Sequence, residues 1–143
     1  MSARINQRLQ HDIFTHVEGT FPNEGGGFLF GHQRNGVTEV VDVTHIENVF
    51  DTEEQYHRYA MTPQNWAQME DQADAKGLLL IGYHHSHPNS PAIPSEYDRV
   101  HALPNFLYII TSVEDNKAVD MRAWQLRPDR SQFDAVALTV TSE

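Results

Sequence analysis

The stretch Leu78-Leu79-Leu80-Ile81-Gly82-Tyr83-His84-His85-Ser86-His87-Pro88 decides the fold. A strand exposed on one face alternates apolar with polar residues, so the unbroken apolar run Leu78–Tyr83 reads as a central strand covered on both faces. The histidines follow immediately at its end. Beyond them, Pro88, Pro91 and Pro94 remove backbone donors and restrict their neighbours, which predicts an irregular connection. A short helix opens at Ser95, where Ser95 and Asp98 match the positions of a capping pair.

Working outward, Thr62-Pro63 joins a capping residue to a proline suited to the first helical position. A helix is predicted from about Pro63 to Lys76, closed by Gly77, with Trp66, Met69 and Ala73 on its inner face. Asp51 to His57 is polar without an apolar period and reads as a surface loop. Phe28 to Gln33 and Val37 to Ile46 read as strands joined at Arg34-Asn35-Gly36. Ile5, Leu9, Ile13 and Val17 recur every four residues, one apolar stripe on a helix from about Ala3 to Glu18, with Gly19 as its stop. Toward the C-terminus, Phe106–Val113 and Ala118–Leu126 form strands joined by Glu114-Asp115-Asn116-Lys117, and Ala135–Thr141 forms a last strand at the sheet edge. The sum is an α/β domain spanning residues 1–143, with a central mixed sheet flanked by helices.

Composition narrows the function. A chain of 143 residues suits one domain, and its 39% hydrophobic and 10% aromatic residues supply a core and argue against disorder. The absence of cysteine excludes disulfides, thiolate metal sites and a cysteine nucleophile, so any metal takes nitrogen and oxygen ligands. The polar start Met1–Gln7 and a longest apolar run of only Leu78–Tyr83 predict no signal peptide and no membrane span, with a cytoplasmic location as the default. Ten Lys and Arg stand against twenty Asp and Glu, a formal charge of −10 with no basic cluster. Nucleic acid is therefore not the expected partner, because phosphate contacts need clustered cations. Oligomeric state is left open.

The chemistry lies where the strand ends. Residues two apart on an extended chain point the same way, so His85 and His87 present their rings to one ion while Ser86 faces elsewhere. Asp98 lies on the first turn of the next helix, and the proline-rich connection is long enough to bring that turn back over the strand. Three protein ligands leave a fourth position for water, the arrangement of a catalytic zinc site. Glu24, in Pro22-Asn23-Glu24-Gly25-Gly26-Gly27, lies outside the ligand set and is the candidate general base, with glycines that let the backbone approach a substrate closely. The Ser95 hydroxyl is the candidate donor to an oxyanion. Taken singly, the histidines read as surface or hydrogen-bonded residues, Ser95 and Asp98 as helix caps and Glu24 as a turn residue; the five together carry the argument. Alternation turns His84 away from the pair, and His11, His32, His45, His57 and His101 have no ligand-like spacing and read as surface or packing residues.

Glu24, His85-Ser86-His87-Pro88, Ser95 and Asp98 resemble the JAMM motif of MPN-domain metallopeptidases, E…H-[ST]-H-P-x(6)-S-x-x-D. Glu24–Gly31 and Met121–Leu126 are also similar to that family's small prokaryotic members. The His-Glu-X-X-His and cysteine-containing deaminase signatures are absent, and the glutamate spacing of a cupin is not met. The resemblance implies an MPN-like, cytidine-deaminase-like fold, with Zn2+ held by His85, His87 and Asp98. It implies Glu24 as general acid/base and Ser95 as the oxyanion-stabilising serine. It further implies hydrolysis of an isopeptide or peptide bond at the C-terminus of a ubiquitin-like or sulfur-carrier protein of the β-grasp fold, whose extended tail would lie along a sheet edge. The alternatives are a non-catalytic MPN-like protein-binding module and zinc held for stability alone.

Overall fold

The structure, a computed structural model, describes residues 2–46 and 62–142, so the loop expected at Asp51 to His57 lies outside the described residues. Seven strands, β1 (Ser2–Asn6), β2 (Gly26–Arg34), β3 (Val37–His45), β4 (Leu79–Pro88), β5 (Leu107–Glu114), β6 (Lys117–Leu126) and β7 (Phe133–Thr141), are joined by three helices, α1 (Gln7–Thr20), α2 (Pro63–Ala75) and α3 (Glu96–His101). The strands pair in the order β1-β3-β2-β4-β5-β6-β7 and the sheet closes on itself. It is mixed: β1 runs parallel to β3 and β7, and β4 parallel to β5, while the remaining neighbours are antiparallel. The α/β class holds, with α1 packed against β1, β2, β3, β5, β6 and β7 on the inside of the closed sheet and α2 against β4.

Two apolar layers follow from strand alternation. Leu9 and Ile13 of α1 join Ala3, Ile5, Leu29, Val40, Ile81, Leu107 and Ile109 in one buried cluster. Phe28, Phe30, Tyr83 and Tyr108 turn the other way and meet Met69 and Ala73 of α2. Trp66 packs against that layer, its ring 5.6 Å from Tyr83 and 5.0 Å from Phe106. The two-residue turn between β2 and β3 is made by Asn35 (φ 53°) and Gly36 (φ 77°), both left-handed as a tight hairpin requires.

The N-terminal helix is shorter than the apolar stripe predicts. Residues 2–6 form β1, with Ala3 and Ile5 buried in alternation, and α1 begins only after Asn6, whose Oδ1 accepts the Leu9 amide at 2.8 Å. Ile5 satisfies a period of four with Leu9 and a period of two with Ala3, and parallel pairing on both flanks of β1 settles it as strand. Gly19 does not stop α1, which runs to Thr20. β7 is not an edge strand, because β1 pairs with its second half. The central strand does not end at Tyr83 either: β4 continues through the histidines to Pro88 because β5 runs beside it in register from Gly82↔Leu107 to Pro88↔Val113.

Candidate metal centre

Past a register shift opposite Leu29/Phe30, the residues of β4 alternate strictly. Tyr83 joins the α2 layer, His84 meets His16 of α1, and His85 and His87 project together from the Tyr83 side. The proline-rich connection then returns the chain so that Asp98, in the first turn of α3, lies against both rings. His85 Nε2 is 3.2 Å from His87 Nε2 and 3.3 Å from Asp98 Oδ1; His87 Nε2 is 3.4 Å from Asp98 Oδ2. All three residues are buried.

These separations have a direct reading. Ligand atoms placed tetrahedrally about 2.0 to 2.1 Å from an ion lie roughly 3.3 to 3.4 Å from one another. The two nitrogens stand at about this separation from each other, and each stands at about this separation from a different oxygen of the Asp98 carboxylate; two imidazoles with one carboxylate suit a divalent metal. Among the described residues this is the one group of three His, Cys, Asp or Glu whose ligand atoms all fall within 4.8 Å of one another, and it is able to bind a metal ion.

Neighbouring contacts orient the donors. His87 Nδ1 lies 2.9 Å from the Pro91 carbonyl oxygen, so the ring proton is held on Nδ1 and the Nε2 lone pair faces Asp98 and His85. The Ser95 hydroxyl accepts the Asp98 amide at 3.0 Å, while the Asp98 carboxylate accepts the Ser95 amide at 2.9 Å, a reciprocal capping box at the start of α3. Capping and the site are thus one device: the bonds that start the helix also aim the carboxylate.

Glu24 and Ser95 share with His87 the wall of one cavity of about 530 Å³, completed by Pro88, Ser90, Pro91 and Ile93. Glu24 itself is buried. All five residues singled out by sequence are therefore brought to one place. The glycines beside Glu24 serve neighbours in the fold. A Cβ on Gly25 would stand 2.6 Å from Thr20 Oγ1, and one on Gly27 would stand 1.8 Å from the Thr44 carbonyl oxygen, so at these two positions the missing side chain admits α1 and β3.

Three features escape sequence spacing. The Pro91 carbonyl is a backbone group, and no side-chain pattern marks it. Ser86, between the two histidines, contacts Gly25 rather than solvent. His84 is fully buried with its Nε2 3.3 Å from His45 Nδ1, and the His45 ring stacks on His16 at 4.5 Å. Burial, with neighbouring His45, His16 and His85, holds His84 well below the ordinary histidine range; burial and His16 lower His45 as well. The signal for this trio was the alternation that turns His84 inward, toward whatever α1 and β3 present.

The sequence profile of the prokaryotic homologs of the JAB domain matches residues 6–127. Among solved structures, a protein from Desulfitobacterium hafniense superposes with a TM-score of 0.80 at 23% identity, covering 99% of this chain and 94% of that one. A protein from Salinibacter ruber gives 0.74 at 32% identity, covering 98% and 91%. A JAB1/MPN domain protein from Archaeoglobus fulgidus gives 0.61 at 18% identity, covering 99% of each chain. No match is found among curated proteins. None of the described helices is long and apolar enough to cross a membrane.

Proposed function

Because the chain belongs to the family of prokaryotic homologs of the JAB domain, a family that includes metallopeptidases, we propose that it is a zinc-dependent peptidase. Its substrate in this reading is the amide bond at the C-terminus of a ubiquitin-like or sulfur-carrier protein of the β-grasp fold. One observation carries the proposal: His85, His87 and Asp98 converge, with ligand atoms 3.2 to 3.4 Å apart, beside a cavity whose wall also contains Glu24 and Ser95.

His85 and His87 would hold the ion through Nε2 and Asp98 through its carboxylate. Zinc held there would supply Lewis acidity and would lower the pKa of water at the site to about 7. The remaining work belongs to the protein. The Glu24 carboxylate takes a proton from the attacking water and returns it to the departing amine nitrogen. Ser95 Oγ, an acceptor toward the Asp98 amide, donates a hydrogen bond to the carbonyl oxygen as negative charge develops there. The Pro91 carbonyl keeps the His87 ring in the tautomer that faces the site. The substrate tail enters the cavity beside the end of β4, whose pairing with β2 stops at Gly26↔His85 while its pairing with β5 runs on to Pro88↔Val113.

The test is incubation of zinc-loaded protein with β-grasp proteins carrying C-terminal extensions, followed by intact mass measurement. The wild-type chain should remove the extension; Glu24→Gln should retain about one zinc per chain and lose about 100-fold or more in rate. Unchanged cleavage by Glu24→Gln would remove Glu24 from its role. Failure to take up stoichiometric zinc after reconstitution would favour the protein-interaction module.

A further inference from the structure

We propose that Ser86 is a positioning residue that clamps the Glu24 segment to the strand carrying His85 and His87. The inference rests on the peptidase reading and assigns a task to the residue between the two histidines. Ser86 is fully buried and lies on the face of β4 opposite their rings. Its Oγ accepts the Gly25 amide at 2.9 Å, and its own amide donates to the Gly25 carbonyl oxygen at 2.9 Å. Ser86 therefore holds both polar backbone groups of the residue that follows Glu24.

The clamp occupies the place where the regular ladder gives out. Pairing between β2 and β4 ends at Gly26↔His85, and Ser86 extends the connection by one residue: its amide makes a bond any strand residue could make, and its Oγ adds one to the Gly25 amide that a residue without a side-chain acceptor could not. On its other side Gly25 is closed in by Thr20, which leaves no room for a Cβ. The backbone at Glu24 is consequently gripped between the end of α1 and β4. One strand then sets both halves of the chemistry: His85 and His87 from one face, and the base from the other through Ser86. A displacement of about 1 Å in a reacting group costs on the order of 100-fold in rate, so the grip has a catalytic consequence as well as a structural one.

The test compares Ser86→Ala and Ser86→Thr with the wild type in the full-length, zinc-loaded protein. Ser86→Ala should keep about one zinc per chain and KM within about 2-fold while kcat falls between 10- and 100-fold; Ser86→Thr, which keeps the acceptor, should recover most of that loss. Hydrogen exchange at the Gly25 amide should speed up by about 10-fold or more in Ser86→Ala, with and without zinc, as a lost buried hydrogen bond requires. The exchange measurement needs no turnover, so a wild-type protein that cleaves nothing overturns the peptidase reading alone and leaves the clamp to be judged at Gly25. Unchanged Gly25 exchange in Ser86→Ala overturns the clamp. So does faster exchange with unaltered kcat, or a fall in kcat matched by loss of zinc.

Discussion

His87 Nδ1 lies 2.9 Å from the carbonyl oxygen of Pro91, four residues along the chain, and this contact ties the ring to the loop over it. The loop is tied down in turn. Ser112 Oγ donates to the Ser90 carbonyl at 2.6 Å, the Asn89 amide to the Val113 carbonyl at 2.7 Å, and Trp124 Nε1 to the Ala92 carbonyl at 3.0 Å. Partners that orient a metal-binding histidine typically contribute 10- to 100-fold in metal affinity. Ser112→Ala, one step further out, should therefore weaken zinc binding by about 10-fold with the fold retained, as read by titration against a competing chelator. Unchanged affinity would mean that the loop holds the Pro91 carbonyl without Ser112.

In the proposed reading Asp98 has two tasks, capping α3 and holding the ion, and a substitution can separate them. Asn retains an oxygen able to accept the Ser95 amide and so preserves the start of α3, but it lacks the anionic charge that faces His85 and His87. Asp98→Asn should melt within a few degrees of the wild type without metal, and its zinc affinity should fall by roughly 100-fold or more, beyond the outer-partner range. Asp98→Ala should lose both. An Asn variant that binds zinc as tightly as the wild type would exclude Asp98 from the ligand set.

The site was more legible than the topology, for a physical reason. His85, His87, Ser95 and Asp98 lie close along the chain, so strand alternation and a capping spacing largely fix their relation, and only Glu24 must arrive from afar. Strand ends depend on partners distant in sequence. β4 reaches Pro88 because β5 accompanies it, and β7 is an inner strand because β1, at the opposite end of the chain, pairs with it. Ile5 fits a helical and a strand period equally, so its sequence neighbourhood does not decide between them. The Pro91 carbonyl is a backbone group that no residue pattern records, and the motif marks a hydroxyl residue at Ser86 without recording that it binds the Gly25 backbone.

Two glycines should respond in opposite directions to alanine. A Cβ at Gly27 would lie 1.8 Å from the Thr44 carbonyl oxygen and 2.9 Å from His84 Nε2, so β2 and β3 would have to part. Gly27→Ala should cost about 3 kcal/mol or more by denaturant unfolding, at or beyond the upper end of usual overpacking penalties. Gly19 lies within α1 with nothing inside 4 Å of the added atom, so Gly19→Ala should stabilise by about 0.5 kcal/mol, the low end of the helix-interior difference. Equal effects at the two positions would contradict the packing of the Glu24 segment described above.

Tyr108 makes stability depend on alkaline pH. Burial pushes its phenol up from 10.0 to about 12, opposed by the hydrogen bond it accepts from the Leu103 amide at 2.8 Å. The folded state therefore disfavours phenolate, whereas the unfolded chain ionises near pH 10. Below pH 10 the phenol is neutral in both states and its contribution is fully present. As pH rises from about 10 to about 12 the unfolded state releases a proton that the folded state retains, and stability falls by up to roughly 3 kcal/mol. Urea unfolding at intervals across this range should show the decline. Tyr108→Phe removes the titrating group and the acceptor for Leu103, so it should be less stable at neutral pH by about 1 to 3 kcal/mol and lose most of the alkaline slope. A slope as steep in Tyr108→Phe as in the wild type would assign the alkaline transition to another group.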